Sequence, residues 1–386
     1  MPWKVQCIMS ERMNFISRLE SGERMTDLCR EYGISRKTGY KFLDRYKRYG
    51  PIGLYDESRA PININHRTSD ELRKYIIEWK QKHPTWGAKK IKVELERSQT
   101  GLKIPSFQTI HNILSKAGFV KKQKQRRRVP GYTGKLKPSD YPNEIWGADF
   151  KGEFRLGNQQ YCYPLTISDH YSRYLLCCEG LESTRHIGVI EGFKKTFREF
   201  GLPDRIRIDN GTPFASKGIG GYSKLSVWWL RLGIKAERIE PGHPEQNGRH
   251  ERFHLTLKQD TTRPSGINIL QQQEKFDRFE SMYNTERPHE ALQMKRPNEI
   301  YKKSKKCLPE ELLPLNYPLH DLVSKVSSHG MITSFGKGSD IHIGAAFSGE
   351  NLGLREVETN RWLVSFMDLD LGYIDQKTKK FEPDIL

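Results

Sequence analysis

NEIWGADFKGEF, residues 143–154, is the stretch that decides the fold of the central part of the chain. Its apolar residues Trp146, Ala148 and Phe150 share one face of a strand with the usual two-residue period. Asp149 lies on the other face. A charged residue in mid-strand needs a partner or solvent, and an Asp on the solvated face of an antiparallel sheet is the common alternative to a functional group.

Two similar stretches follow along the chain. Both are rich in aromatic and branched residues and are bounded by turns: QYCYPLTISDHYSRYLLCCEG (160–180) and DRIRIDNG (204–211). Between them, STRHIGVIEGFKKTFREFG (183–201) has the pattern of a helix. Adjacent strands that are followed by a helix, another strand and further helices predict an α/β sheet with helices packed on it.

The composition is that of a large, folded and strongly basic protein. The 386 residues favour about two to four domains. A content of 35% hydrophobic residues, with seven Trp, 17 Tyr and 17 Phe, excludes a disordered chain. Lys and Arg number 65 against 47 Asp and Glu, a net charge of +18. This charge favours a polyanionic partner such as nucleic acid, with an anionic membrane surface as the alternative.

Sequence features of membrane and secreted proteins are missing. No apolar run approaches the roughly 18 residues of a membrane span, and the N-terminus lacks a signal-peptide segment. The six cysteines, at positions 7, 29, 162, 177, 178 and 307, form no C-x-x-C pair and no zinc-type cluster. We expect a soluble, cytoplasmic protein with reduced thiols and no membrane contact.

Residues 1–60 are predicted to form a helix-turn-helix DNA-binding domain. RMTDLCREYGISRKTGYKFLDRYKRYG (24–50) predicts two short helices joined at Gly33. A recognition helix contacts base edges and phosphates near its start, and the second helix carries four candidates there: Arg36, Lys37, Thr38 and Lys41. An ordinary helical hairpin has a similar pattern, so it remains the alternative.

A second helical domain, of helix-turn-helix or winged-helix type, is predicted for residues 67–120. Within it, IPSFQTIHNILSKAGF (104–119) has Ser106 as a candidate N-cap before apolar residues at helical spacing. Two such all-α units in tandem would cover more than one turn of DNA.

Two linkers and a C-terminal module complete the predicted organisation. A basic linker spans 121–140, and its cations suit the phosphate backbone without reading sequence, among them Arg126, Arg127 and Arg128. A solvated, flexible hinge is the alternative interpretation. A second linker is predicted at 302–319. Short alternating runs in 320–386 predict a small antiparallel β-barrel.

Two glutamates compete for a role in EPGHPEQNGRHERFH, residues 240–254. Glu245 lies among Pro, Gly and Asn residues, and a side chain in such a loop is poorly held. Asn247 can cap a helix that carries Glu251 in its first turns. A metal ligand needs rigid support, so Glu251 is the better candidate. On this helix His254 and Lys258 share an edge with Glu251, which suits metal and phosphate together.

The remaining carboxylate, Asp209, ends the strand RIRI and begins Asp-Asn-Gly, which is also a hairpin signal. Asp209 and Asp149 at the ends or edges of adjacent strands, with Glu251 from a helix, could chelate hard divalent cations. Asp169, in SDHYSRY, is interpreted as a turn residue. His250 flanks the predicted site, although a single His on a helix is usually packed or solvated.

Five motifs together resemble one known group of proteins: WGADFKG, SDHYSRYLL, IDNGTPF, GHPEQNGRHERFHLTLK and YNTERPHEAL. The chain resembles the DDE transposases and retroviral-type integrases, in particular bacterial insertion-sequence transposases with an integrase-like core. The resemblance spans roughly residues 142–301 and implies a central α/β RNase H-like catalytic core at 141–301. It places Asp149, Asp209 and Glu251 at the three acidic positions. The 41 residues between Asp209 and Glu251 exceed the roughly 35 of many relatives, a spacing that by itself favours Glu245; the Gly-rich segment 217–224 is a plausible local insertion.

The resemblance also implies a reaction. The three carboxylates would hold two Mg²⁺ or Mn²⁺ ions, free a 3′-hydroxyl at an element end and direct it onto a target strand. The expected partners are double-stranded DNA, as terminal inverted repeats and target, and at least one more copy of the chain, on the bacterial nucleoid. Asn247, His254 and Lys258 are expected to contact DNA. The alternatives are a silent DNA-binding regulator derived from a transposase and a nuclease that cuts without joining.

Overall fold

The computed structural model of the chain describes residues 8–57, 68–98, 101–120, 136, 138–216, 218–240, 246, 248–335 and 340–383. The chain divides into two compact units, Met1–Thr68 and Ser69–Leu386. Among the helices of the described residues, none has both the length and the apolar character required to cross a membrane.

The described residues of the first unit form three α-helices, α1 (Ile8–Glu20), α2 (Met25–Glu31) and α3 (Arg36–Tyr49). Ser35 caps α3, because its hydroxyl accepts a hydrogen bond of 3.2 Å from the Thr38 amide. α2 and α3 are the predicted helix pair, and α1 adds a third helix that the pattern did not indicate. The three helices enclose a small core of Phe15, Ile16, Leu28, Cys29 and Leu54. The predicted all-α character of the N-terminal region is confirmed.

The second unit begins with a further three helices, α4 (Asp70–Lys82), α5 (Ala88–Arg97) and α6 (Phe107–Lys116). Ser106 caps α6 as predicted, accepting a hydrogen bond of 3.3 Å from the Thr109 amide. Side chains from all three helices, together with Trp86 between α4 and α5, form the core of this bundle: Leu72, Ile76, Trp86, Ile91, Leu95, Ile110 and Leu114.

A mixed β-sheet lies at the centre of the second unit. Its strands are β1 (Ile145–Phe150), β2 (Phe154–Arg155), β3 (Tyr161–Asp169), β4 (Leu175–Leu181), β5 (Arg205–Ile208) and β6 (Lys235–Arg238). β3 pairs antiparallel with β4 on one side and with β1 and β2 on the other. β1 pairs parallel with β5, and β5 pairs parallel with β6. The sequence did not predict β6, since three of its four residues are charged and it pairs only with β5 among the described strands.

Helices cover both faces of this sheet. α7 (His186–Phe200) and α8 (Lys224–Arg231) pack on the face that buries Trp146 of β1. α9 (Gly248–Thr261) and α10 (Ile269–Thr285) form a second core with β3 and β4. Because neighbouring strand residues point to opposite faces, the contact of α9 with Gly147 puts it opposite α7. The predicted α/β sheet with packed helices is confirmed.

Seven strands form the C-terminal part: β7 (Leu322–Lys325), β8 (Met331–Ile332), β9 (Ile341–His342), β10 (Asn351–Glu358), β11 (Arg361–Phe366), β12 (Leu369–Asp375) and β13 (Lys380–Pro383). Five of them pair antiparallel in the order β13-β12-β11-β10-β7, and β8 pairs with β9. The antiparallel prediction is confirmed. The described pairings leave β13 and β7 unjoined, so a closed barrel is not confirmed. Local alternation predicts strands, whereas closure depends on pairings between distant segments.

Charged groups connect the α4–α6 bundle to the rest of the second unit. Arg296 donates a hydrogen bond of 2.5 Å to Glu94 of α5, whose side chain is buried. Nearby, burial lowers the pKa of Lys90 from 10.5 to about 7, and the neighbouring cations Arg287 and Arg252 lower it further. Keeping a cation at Lys90 therefore costs stability.

We predict that Lys90→Met stabilises the protein near neutral pH. The unfolded chain binds a proton at Lys90 that the folded chain releases between about pH 7 and pH 10.5, so the wild-type free energy of unfolding falls as the pH drops through this window. The free energy of unfolding of the variant lacks this pH dependence. Its excess over the wild-type value is therefore larger at pH 7 than at pH 9.5, by roughly 2–3 kcal/mol. Urea unfolding at the two pH values measures it. Lys92→Met, from another partly exposed position of α5, is the control. An equal pH dependence in wild type and Lys90→Met would contradict the prediction.

Gly147 sets the distance between α9 and the sheet. A Cβ atom at this position would lie 2.1 Å from Nε2 of His250 and 2.3 Å from Nε2 of His170. Both imidazoles are buried, so neither can move aside into solvent. Only glycine leaves room for two rings against the strand.

We therefore expect Gly147→Ala to lower the free energy of unfolding by about 1–3 kcal/mol, as overpacking of a close-packed interior does. Gly248→Ala at the start of α9 is the matched control, since an added carbon there has no described atom within 4 Å. Chemical denaturation of both variants checks this. A Gly147→Ala protein as stable as wild type would contradict this prediction, because it would show that the imidazole rings of His170 and His250 move aside at no cost in stability.

Candidate active site

Asp149 and Asp209 lie on neighbouring strands of the sheet. β1 and β5 run parallel, with Gly147 opposite Arg207, and two further residues along each strand lead to Asp149 and Asp209. Neighbouring strands are about 4.8 Å apart. Extended by two residues, this register would place Asp149 and Asp209 next to each other at the carboxyl ends of the strands. One oxygen of Asp209 accepts a hydrogen bond of 3.1 Å from the Gly211 amide.

Glu251 lies in the first turn of α9, which begins at Gly248 as predicted. Phe253 and Leu257 are buried against the sheet and α10, whereas Glu251 and Lys258 are exposed. The sequence thus predicted correctly which side of α9 faces the core. Glu251 precedes His254 by three positions, so these two residues are neighbours along the helix, whereas His250 is buried.

The structure brings Asp149 together with two histidines. One ligand atom each of Asp149, His250 and His254 lies within 4.8 Å of the other two. Thr166, opposite Asp149 on β3, donates a hydrogen bond of 3.0 Å from its hydroxyl to the Asp149 carbonyl oxygen. The same hydroxyl lies 2.9 Å from Nε2 of His254. Since its single hydrogen is already used, Nε2 of His254 is the donor and Nδ1 keeps a free lone pair.

Burial keeps these imidazoles neutral. It lowers the pKa of His254 to about 3, with smaller contributions from His250 and Lys151. It lowers the pKa of His250 to about 4, with Arg207 as the next cause. His170 is equally buried, its pKa is lowered by the same effect, and its Nε2 lies 3.5 Å from Nε2 of His250. Neutral imidazoles have the lone pairs that bind metals.

Among the described residues, no close group of three joins Asp209 and Glu251 to Asp149, and the three-carboxylate assignment stays a prediction. Residues 250–254 spell H-E-x-x-H, which places two histidines at i and i+4 on one helix face. The predictions from the sequence treated each histidine singly and did not include this pairing. The third member, Asp149, is about a hundred positions away in sequence, and only the fold brings it near.

The other predicted residues divide into three groups. Arg36, Lys37 and Lys41 are exposed at the start of α3, whereas Thr38 belongs to the cap, with its hydroxyl 2.9 Å from that of Ser35. Asp169 is buried and accepts hydrogen bonds from the Asn143 amide and from Ser172, as a turn residue does. The candidates that lie outside the described residues are Arg126, Arg127, Arg128, Glu245 and Asn247.

Four protein-family comparisons match the chain. Integrase core domain families match residues 139–244 and 232–297. A helix-turn-helix domain matches residues 11–62, and a homeodomain-like domain matches residues 38–114.

Individual relatives have low sequence identity to the chain. The chain is 23% identical to an uncharacterized 31.7 kDa protein of insertion element IS407 from Burkholderia multivorans over 64% of its length and 87% of the relative. It is 25% identical to an uncharacterized 39.2 kDa protein of insertion element IS476 from Xanthomonas euvesicatoria over 70% of its length and 76% of the relative. The magnesium-bound catalytic core of HTLV-2 integrase aligns at 15% identity and a TM-score of 0.32, covering 42% of this chain and 99% of that one.

These findings agree with one another. Integrase core families match the central sheet, a helix-turn-helix family matches the N-terminal helices, and the relatives are encoded by insertion elements. Together they support the resemblance of the chain to DDE-type insertion-sequence transposases with an integrase-like core.

Proposed function

We propose that the protein binds the terminal inverted repeats of a mobile element, cleaves DNA at the element ends and joins the freed 3′-hydroxyl to target DNA. The observation that supports this most is the parallel register of β1 and β5, which brings Asp149 and Asp209 to one edge of the sheet. Glu251, in the first turn of α9, completes the proposed set of three acids.

The donor set suits hard divalent cations. Asp149, Asp209 and Glu251 offer carboxylate oxygens, which Mg²⁺ and Mn²⁺ prefer. We propose that these residues hold two ions, which supply activation of the attacking oxygen and stabilisation of the leaving oxygen when bound. The carboxylates would hold the ions that position the reacting phosphodiester oxygens, and no covalent protein-DNA intermediate is needed.

Two lysines next to the acids suit the DNA backbone. Lys151 follows β1 and Lys258 lies on α9. Burial lowers the pKa of Lys151, and the charge of Lys258 lowers it further, so the two ammonium groups are close enough to repel each other. A phosphate between them would relieve this repulsion. Lys258 thereby keeps the DNA-binding role that we assigned to it, and His254 lies on the sheet side of the same helix.

The helical units supply recognition. α3 presents Arg36, Lys37 and Lys41 at its exposed start, as a recognition helix in the major groove requires. We place the linker cations Arg126, Arg127 and Arg128, together with Asn247, on phosphates of the same DNA. Two element ends must be joined in one event, so the active form contains at least two copies of the chain.

We predict that the acids are required for chemistry and not for binding. With Mg²⁺ or Mn²⁺, the wild type cuts and joins labelled duplexes taken from the DNA that flanks its gene. Asp149→Asn, Asp209→Asn and Glu251→Gln each reduce joining by about a thousandfold or more while they still bind the ends. Cleavage and joining are scored on the same gel beside a binding assay.

Glu245→Gln is the matched control, and it retains joining within a few-fold of wild type. Loss of joining in Glu245→Gln and not in Glu251→Gln would reverse the choice of glutamate. A wild type that binds the ends and never cuts them identifies a regulator. A wild type that hydrolyses the ends without joining them identifies a nuclease.

A second prediction concerns α3. Lys41→Ala weakens binding to the element ends and lowers the slope of log affinity against log salt by about 0.9, because one phosphate contact is lost. Lys47→Ala, which removes an equally exposed lysine at the far end of α3, leaves the slope unchanged. Fluorescence anisotropy over a salt series measures both. Equal slopes for Lys41→Ala and wild type would remove α3 from the DNA interface.

A further inference from the structure

We propose that Asp149, His250 and His254 form a second metal site, which binds Zn²⁺ and withdraws Asp149 from the proposed catalytic set. The inhibitory part of this proposal rests on the proposed function, because it needs Asp149 to be catalytic. The binding part rests on the geometry alone.

The three ligand atoms are already gathered. Each lies within 4.8 Å of the others, and ligand atoms around a tetrahedral Zn²⁺ are about 3.4 Å apart. Binding of Zn²⁺ would require side-chain rotations that close this difference. His250 and His254 lie one helical turn apart on the face of α9 that meets β1, which is the H-E-x-x-H arrangement of known zinc sites.

The surroundings hold these ligands in place. Thr166 fixes Nε2 of His254 as a hydrogen-bond donor and leaves Nδ1 for a metal, which is the outer support that metal-binding histidines commonly have. Nδ1 of His250 is buried and has no hydrogen-bond partner among the described residues. A buried polar atom without a partner costs free energy, and a bound cation would remove that cost.

The chemistry of the donors selects the ion. Two imidazoles and one carboxylate suit Zn²⁺ and its neighbours in the transition series, whereas Mg²⁺ prefers oxygen ligands alone. Three protein ligands also leave one position for water or a phosphate oxygen. The same aspartate can thus serve two different ions, and occupation by Zn²⁺ would cross-link α9 to β1.

Co²⁺ provides a direct readout, since it enters zinc sites and absorbs visible light much more strongly with four ligands than with six. Full-length protein stripped of metal is titrated with Co²⁺ and then with Zn²⁺. We expect one equivalent of Co²⁺ to give the intense visible band and Zn²⁺ to abolish it, because Zn²⁺ binds such sites more tightly. His250→Asn and His254→Asn each weaken binding by about a hundredfold.

Three further variants sharpen the test. Glu251→Gln retains the Co²⁺ band although it lacks the proposed catalytic glutamate. His342→Gln, which removes an exposed histidine of β9, also retains it. His254→Cys preserves a ligand and adds a sulfur-to-cobalt band in the near ultraviolet, so a poorly folded His254→Asn protein does not decide the outcome. Co²⁺ absorption that is weak, or that is unchanged by substitution of both histidines, overturns the proposed site.

Inhibition is measured separately in the joining assay, as the ratio of each protein's activity with and without Zn²⁺ in the presence of Mg²⁺. We expect strong inhibition of wild type and at least about tenfold weaker inhibition of His254→Asn relative to its own activity. A wild type with the Co²⁺ band and no DNA chemistry disproves the proposed function and leaves the metal site standing. DNA chemistry that Zn²⁺ inhibits equally in both proteins disproves the inhibitory role alone.

Discussion

The close contact of α9 with β1 across Gly147 is the constraint on which the site depends. Without a side chain at Gly147, the ring of His250 can lie against the strand, and the helix comes close enough for His254 to reach Thr166. This contact fixes the helix that carries Glu251 relative to the strand that carries Asp149. A larger residue at Gly147 would push both apart, although it touches neither acid.

α8 couples the centre of the second unit to its C-terminal sheet. Trp229 packs in the core beneath the central sheet, and Val227 packs in the core of the C-terminal strands. Arg231 adds a hydrogen bond of 2.5 Å to Glu350 in the loop before β10. One short helix therefore serves two cores, so loss of either core exposes apolar surface of the same helix. The two sheets should unfold together rather than in sequence.

Local patterns predicted the parts of the fold that local physics determines. The alternation in β1, the cap at Ser106 and the start of α9 all depend on neighbours within a few residues. β6 was missed because its charged residues carry no apolar period, and its pairing with β5 depends on a segment thirty positions away. Barrel closure and the group of Asp149 with two histidines are of the same kind. In each case the structure is decided by contacts between segments that are distant in sequence, and such contacts leave no local signal.

Asp149 belongs to both of the metal sites that we propose. On one side the register of β1 and β5 offers it to Asp209, an arrangement of oxygen donors that favours hard ions. On the other side α9 offers it two neutral imidazoles, which favour softer ions. In our proposal the ion present decides whether Asp149 acts with the other carboxylates or with the two imidazoles. The contact of α9 with Gly147 holds both arrangements in place.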